Sequence, residues 1–178
     1  MALKQPEQLR LFFALIPPTG LARGFHHLAM TDLQECRGRA LKPEQIHLTL
    51  RFIGPVDGHT ATCLQQAADR IILPRFDLVC DVLGYWPRPK VVWTMPSQIP
   101  PTISALAAQL EQACVNCGLT PEKRAYVPHL TLLRNARQAP VMVTMKPRHW
   151  PVDSFALISS ETLPQGAAYT ELQRWALQ

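Results

Sequence analysis

Short apolar runs, each cut off by proline or glycine, alternate along this chain with stretches whose apolar residues recur every three or four positions. "LRLFFALIPP", residues 9–18, is a buried-strand pattern stopped by Pro17 and Pro18. From Thr19 to about Leu33, Leu21, Phe25, Leu28 and Ala29 share one face and predict a helix. "GRALKPEQ" reads as a polar connection, and "IHLTLRFIG", residues 46–54, as a strand ended by Gly54-Pro55. A second helix is predicted from Thr60 to about Ile72 on Leu64, Ala67, Ala68, Ile71 and Ile72. "RFDLVCDVLGYW" and "KVVWTMP" flank "PRP" and predict a hairpin. The clearest helix runs from Pro101 to Cys117, with Pro101 suited to its first turn and Gly118 to its stop. "VPHLTLLR" then predicts a strand, "MKPRHWP" a proline-rich loop, and "DSFALISSET" and "YTELQRWAL" two last strands.

Helices and strands alternate, but the hairpins require antiparallel pairing, so the expected class is α+β. No linker-like segment divides the chain. Residues 1–178 are therefore expected to form a single domain with one shared core. The tetrapeptide His-Leu-Thr-Leu occurs once in each half, at 47–50 and 129–132. Composition alone predicts about 0.007 such matches in a chain of this length, so the repeat is structural information. It suits two lobes related by a pseudo-twofold axis, each giving one motif strand to a shared cleft.

Composition narrows the possibilities. At 47% hydrophobic and 17% charged the chain is globular rather than disordered. A net charge of +5 and a pI near 9.2 fit a polyanionic partner such as RNA, and equally a modestly basic soluble protein. Basic residues are scattered, with small groups at Arg37 and Arg39 and at Lys123 and Arg124, so an RNA would meet a shaped groove rather than a basic tail. Five cysteines without regular spacing read as reduced thiols in a cytoplasm. "LRLFFALIPP" is too short for a signal sequence, and no run is long enough to cross a membrane. No glycine-rich phosphate loop is present, which argues against use of a nucleoside triphosphate.

Side chains alternate along a strand, so His47 and Thr49 share one face and Leu48 and Leu50 the other; His129 and Thr131 stand in the same relation to Leu130 and Leu132. Two such strands facing a cleft bring two imidazoles and two hydroxyls together. An imidazole titrates near 6.5, so one can take a proton from water while the other gives one to a leaving oxygen. The hydroxyls can hold anionic oxygens. This set suits displacement at phosphorus without a metal or other cofactor. Two other readings stay open on the residues alone. The histidines could be satisfied core residues, or zinc ligands, although no carboxylate or cysteine stands at ligand spacing near either motif.

Paired His-x-Thr-x motifs, with "LRLFFALIPP", "HLTLRFIG", "HLTLLRNA" and "YTELQRWAL" around them, resemble the two-histidine phosphoesterase superfamily, and within it the RNA 2′,3′-cyclic phosphodiesterase (2′-5′ RNA ligase) family. The resemblance implies two lobes, each an antiparallel sheet with helices on its outer face, around a central cleft. It implies hydrolysis of RNA 2′,3′-cyclic phosphodiester ends to 2′-phosphomonoesters, reversible as 2′-5′ ligation. It assigns His47 as proton donor to the leaving 3′ oxygen and His129 as the base that activates water. Thr49, Thr131 and Arg134 would bind the phosphate. The implied partner is RNA with cyclic phosphate ends, tRNA fragments included, acted on by a cytoplasmic monomer. A small cyclic-nucleotide phosphodiesterase of the same superfamily and a non-catalytic RNA-binding module are the alternatives.

Strand parity complicates the arginine. Arg134 is an odd number of residues from His129 and Thr131, so it reaches the site only if the strand ends or bulges. Arg51 has the parity of His47 and Thr49 and is a second candidate. Phe13 is read as core, with base stacking as the alternative. Cys114 and Cys117 fit the apolar helix stripe. Nothing in the sequence selects among Trp86, Trp93, Trp150 and Trp175 as cleft residues. His26, His27, His59 and His149 lack the threonine context and read as surface or capping residues.

Overall fold

In a computed structural model, residues 8–164 and 166–178 are described. They form nine strands, β1 (Leu9–Leu15), β2 (Arg39–Ala40), β3 (Leu48–Val56), β4 (Phe76–Trp86), β5 (Val91–Met95), β6 (Leu130–Arg134), β7 (Thr144–Val152), β8 (Ser154–Leu163) and β9 (Gly166–Ala176). Three helices accompany them, α1 (Thr19–Thr31), α2 (Gly58–Ala68) and α3 (Pro101–Asn116). Every strand pairing is antiparallel.

The strands run in the order β7-β4-β5-β6-β3-β1-β8-β9, with β2 on β6. Each lobe is a four-stranded group, and the motif strands β3 and β6 meet at the middle through one residue pair, Leu48–Leu130. The expected pseudo-symmetric lobes are therefore present, but the lobes are not the two halves of the chain. One lobe is the internal stretch β4 to β7, and the other combines β1 and β3 with the distant β8 and β9. The helices bind the seam. α1 leaves β1 yet packs on β2 and β6, and α3 leaves β5 yet packs on β3 and α2.

Binary pattern explains the layering. Leu48, Leu50, Leu130 and Leu132 point to the helix side and are at most 4% exposed, in one core with Phe25 and Leu28 of α1, Leu64 of α2 and Ile103, Leu106 and Leu110 of α3. Truncating any of these leucines to alanine would cost about 2–5 kcal/mol. Helix ends follow the local sequence. The Asp57 side chain accepts from the Thr60 amide to start α2, slightly earlier in the chain than its apolar spacing predicts. Gly118, at φ +84°, closes α3 with the paired bonds Gly118 N–H to Val115 O and Leu119 N–H to Cys114 O of a Schellman motif.

Three local expectations need correction. "MKPRHWP" is strand β7 rather than a loop. Among the described residues it lies at the sheet edge and pairs only with β4, where Pro147 and Pro151 need donate nothing to a further strand. The connection "GRALKPEQ" contains the two-residue strand β2. The five cysteines are not all thiols: α2 and α3 pack side by side with the Cα atoms of Cys63 and Cys117 5.9 Å apart, within disulfide reach, and the two are bonded. Cys36, Cys80 and Cys114 are free and buried, and burial pushes all three thiols up, Cys80 to about 12 and the others to about 11. Among the described residues no helix is long and apolar enough to cross a membrane.

Candidate active site

His47 and His129 each stand immediately before a motif strand, one on each side of the seam. Their surroundings match. His47 Nδ1 lies 2.8 Å from the carbonyl oxygen of Gln45, and His129 Nδ1 lies 2.8 Å from that of Val127. A carbonyl only accepts, so Nδ1 carries the proton in both rings and the lone pair sits on Nε2. Each clamp reaches two residues back along the chain, so the ring is oriented by its own backbone. Gln45 is itself tied to the other end of its lobe, its side-chain amide donating to Ala167 O at 2.9 Å.

Aromatic rings hold both imidazoles. Phe12 lies against His47 with centroids 4.8 Å apart, and Tyr169 meets it edge-on at 5.1 Å. Trp86 meets His129 edge-on at 4.5 Å and is backed by Trp93 at 5.3 Å. Phe13, the aromatic singled out on this strand from the sequence, is wholly buried with Phe155 and Trp175 in the main core. Its neighbour Phe12 takes the site face, because alternation along β1 sends the two rings to opposite sides. Of the four tryptophans, Trp86 and Trp93 line the site side, whereas Trp150 and Trp175 belong to the core.

Thr49 and Thr131 lie on the same face as the histidines and are half-buried. No hydrogen bond engages either hydroxyl among the described residues. The backbone carbonyl of Thr49 accepts from the Tyr126 hydroxyl at 3.3 Å, which fixes the strand from the second lobe.

Two bulges decide the arginines. In β6, Trp93 opposes Thr131 and Val92 opposes Leu133, so Leu132 is an extra residue. Beyond it the alternation is reset: Leu132 and Leu133 are both buried, and Arg134 returns to the face of His129. Its charge bears on both imidazoles. In β3, Ala14 opposes Thr49 and Phe13 opposes Arg51, so Leu50 is the extra residue. There the reset turns Arg51 away. Its guanidinium donates to Glu111 of α3, to Phe52 O and, at 2.9 Å, to Thr120 O. The place that Arg134 occupies in one lobe is held by Phe52 in the other.

Burial is the main cause that lowers both histidines, taking His47 down to about 4, and the Arg134 charge lowers both further. The backbone clamps oppose this by favouring the charged rings. At neutral pH both imidazoles of the ligand-free site are thus uncharged. Alongside Thr49 and His129 a cleft of about 1080 Å³ continues past Phe52, Trp86, Arg88 and Tyr126 to α3. Among the described residues no group of three or more His, Cys, Asp or Glu side chains is gathered at metal-binding distance. His26, outside the site, bonds Leu41 O through Nδ1 at 2.7 Å.

Residues 17–163, spanning both motifs, match the model of the 2'-5' RNA ligase superfamily. The chain belongs to this superfamily. It is 35% identical over 175 residues to the RNA 2',3'-cyclic phosphodiesterase of Escherichia coli strain K12, covering 96% of this chain and 98% of that protein. Among solved structures, E. coli LigT complexed with 3'-AMP superposes with a TM-score of 0.87 at 34% identity, covering 96% of this chain and 99% of that one. The protein TT0787 of Thermus thermophilus superposes at 0.81 with 25% identity, covering 95% and 98%. Superfamily membership thus rests on sequence and fold together, over nearly the whole chain.

Proposed function

We propose that this chain hydrolyses RNA 2′,3′-cyclic phosphodiester ends to 2′-phosphomonoesters, with His47 and His129 as the acid–base pair. The observation that carries this is the pair of imidazoles with matching Nδ1 clamps, their Nε2 atoms free of partners among the described residues and both under the charge of Arg134. The superfamily relatives add support: one is named for this activity, and one was solved with a nucleotide bound.

In the reaction, Nε2 of neutral His129 takes a proton from water as its oxygen bonds to phosphorus. The bond from phosphorus to the 3′ oxygen breaks, and protonated His47 gives its proton to that oxygen. Thr49 and Thr131 donate to the non-bridging oxygens, and Arg134 offsets the charge that builds on them. His47 must be charged for its role although the empty site keeps it neutral. The phosphodiester supplies what is missing: its negative charge favours the imidazolium and offsets Arg134. The roles place the attacking water on the His129 side, where the cleft continues. A 5′-hydroxyl of a second strand in that cleft could take the place of water, which gives 2′-5′ ligation. The enzyme acts as a monomer in the cytoplasm, on RNA ends that include tRNA fragments.

The test is a short RNA ending in a 2′,3′-cyclic phosphate, incubated with purified protein and excess EDTA. The 2′-phosphate product should form, and His47→Ala and His129→Ala should each lower the rate about 10²–10⁴-fold. Activity that vanishes in EDTA and returns on adding metal would sink the two-histidine scheme. Tight RNA binding without turnover would favour a binding module.

A further inference from the structure

Arg39 stands directly opposite Arg134 in the β2–β6 pairing. Cross-strand partners in an antiparallel ladder project from the same face a few ångströms apart. Ala40 and Leu133, the next pair, face the core. Arg39 therefore shares the face of Arg134 and of the two histidines. Its guanidinium lies by Gly166 and the Gln45 side chain, across the seam from the strand that carries it. One arginine thus leans from the second lobe onto the first, at the rim by Gln45, the residue whose carbonyl clamps His47.

Two like charges directly opposite in a ladder repel and destabilise the pairing. Both side chains are exposed, and among the described residues neither makes a salt bridge to a carboxylate. Of the arginines that line the cleft, Arg51 is held by Glu111 and Arg124 by Glu122; Arg88, at the far end beyond Trp86, makes no salt bridge among the described residues either, but it has no second arginine opposite it in a ladder. The unrelieved pair fits an anion with two charged groups in succession, which a nucleic-acid strand provides and a cyclic mononucleotide does not.

We propose that Arg39 forms a second phosphate subsite, which holds the phosphodiester next along the RNA from the cyclic phosphate that reacts beside Arg134. This rests on the reaction given above. Arg39 touches no reacting atom; it lets the enzyme favour an RNA end over a free cyclic mononucleotide.

The experiment compares adenosine 2′,3′-cyclic phosphate with a trinucleotide ending in a 2′,3′-cyclic phosphate. In Arg39→Gln, the ratio of kcat/KM for the trinucleotide to that for the mononucleotide should fall about tenfold, the loss of one charged hydrogen-bonding contact. The salt dependence of the trinucleotide kcat/KM should lose close to one phosphate contact's worth of slope. Arg134→Gln should instead lower both substrates together. At low salt Arg39→Gln should unfold at a temperature no lower than the unsubstituted protein, since it removes a repulsion. An unchanged ratio would overturn the subsite, and so would a proportional loss on both substrates. If the unsubstituted protein opens neither substrate, the reaction itself is misread, and the subsite falls with it.

Discussion

Arg51 and Arg134 exchange the places that simple strand alternation assigns them. Arg51, in step with His47 and Thr49, is turned to Glu111 of α3, and Arg134, out of step with His129 and Thr131, faces the imidazoles. Arg134→Gln should lower kcat/KM by about 10²-fold or more, as expected for a donor lost from the reacting phosphate. Arg51→Gln should instead act on stability, by about 1–3 kcal/mol, because Glu111 and the Thr120 carbonyl lose their donor. Steady-state kinetics and thermal unfolding of the two variants separate the roles, and a large kinetic loss with intact stability in Arg51→Gln would contradict the assignment.

The pH profile of kcat/KM reports the free enzyme, where both histidines are lowered from 6.5. Its bell should therefore centre below pH 6.5, and that of kcat should lie higher, because the bound phosphate raises both rings. Arg134 lowers both, so Arg134→Gln should move the kcat/KM bell to higher pH. Stability follows the same sign. The unfolded chain binds a proton near pH 6.5 and folded His47 only near 4, so this contribution is present above pH 6.5 and is lost between there and about 4. His47→Gln should flatten that part of the unfolding curve.

Gly84 is fixed by a tryptophan. A Cβ there would lie 2.2 Å from the ring of Trp93, which covers the glycine across the hairpin and supports Trp86 against His129. Gly84→Ala should displace Trp93, lower kcat more than Gly118→Ala does, and disturb the His129 imidazole signals in NMR while leaving those of His47 in place.

The Cys63–Cys117 bond should leave three free thiols under denaturing, non-reducing conditions. It spans 54 residues of sequence, so its reduction should cost about 4 kcal/mol by loop entropy, readable as a drop in denaturation midpoint that Cys63→Ser reproduces. Five free thiols and no response to reductant would contradict it.

The histidine pair was legible because a repeated tetrapeptide is local information, and so was the leucine face behind it. The rest depends on partners distant in sequence. Whether Arg134 or Arg51 shares the face of the two histidines rests on one extra residue in each motif strand, visible only when the neighbouring strands β5 and β1 fix the register. The edge position that lets "MKPRHWP" be a strand, and the approach of Cys63 to Cys117, are likewise products of topology. The choice of Phe12 over Phe13 turns on which of two adjacent rings faces the helices, and an unbroken apolar run such as "LFFAL" gives no alternation from which to read it.

Because Leu48 and Leu130 are, among the described residues, the sole ladder rung between the lobes, the gap between the imidazoles is not fixed by the sheet alone. It depends also on the α1 and α3 packing behind it, as the jaws of a pair of pliers depend on their pivot. A lineage of such proteins can thus retune the gap for phosphates of different bulk through helix side chains alone, with every residue in the jaws unchanged.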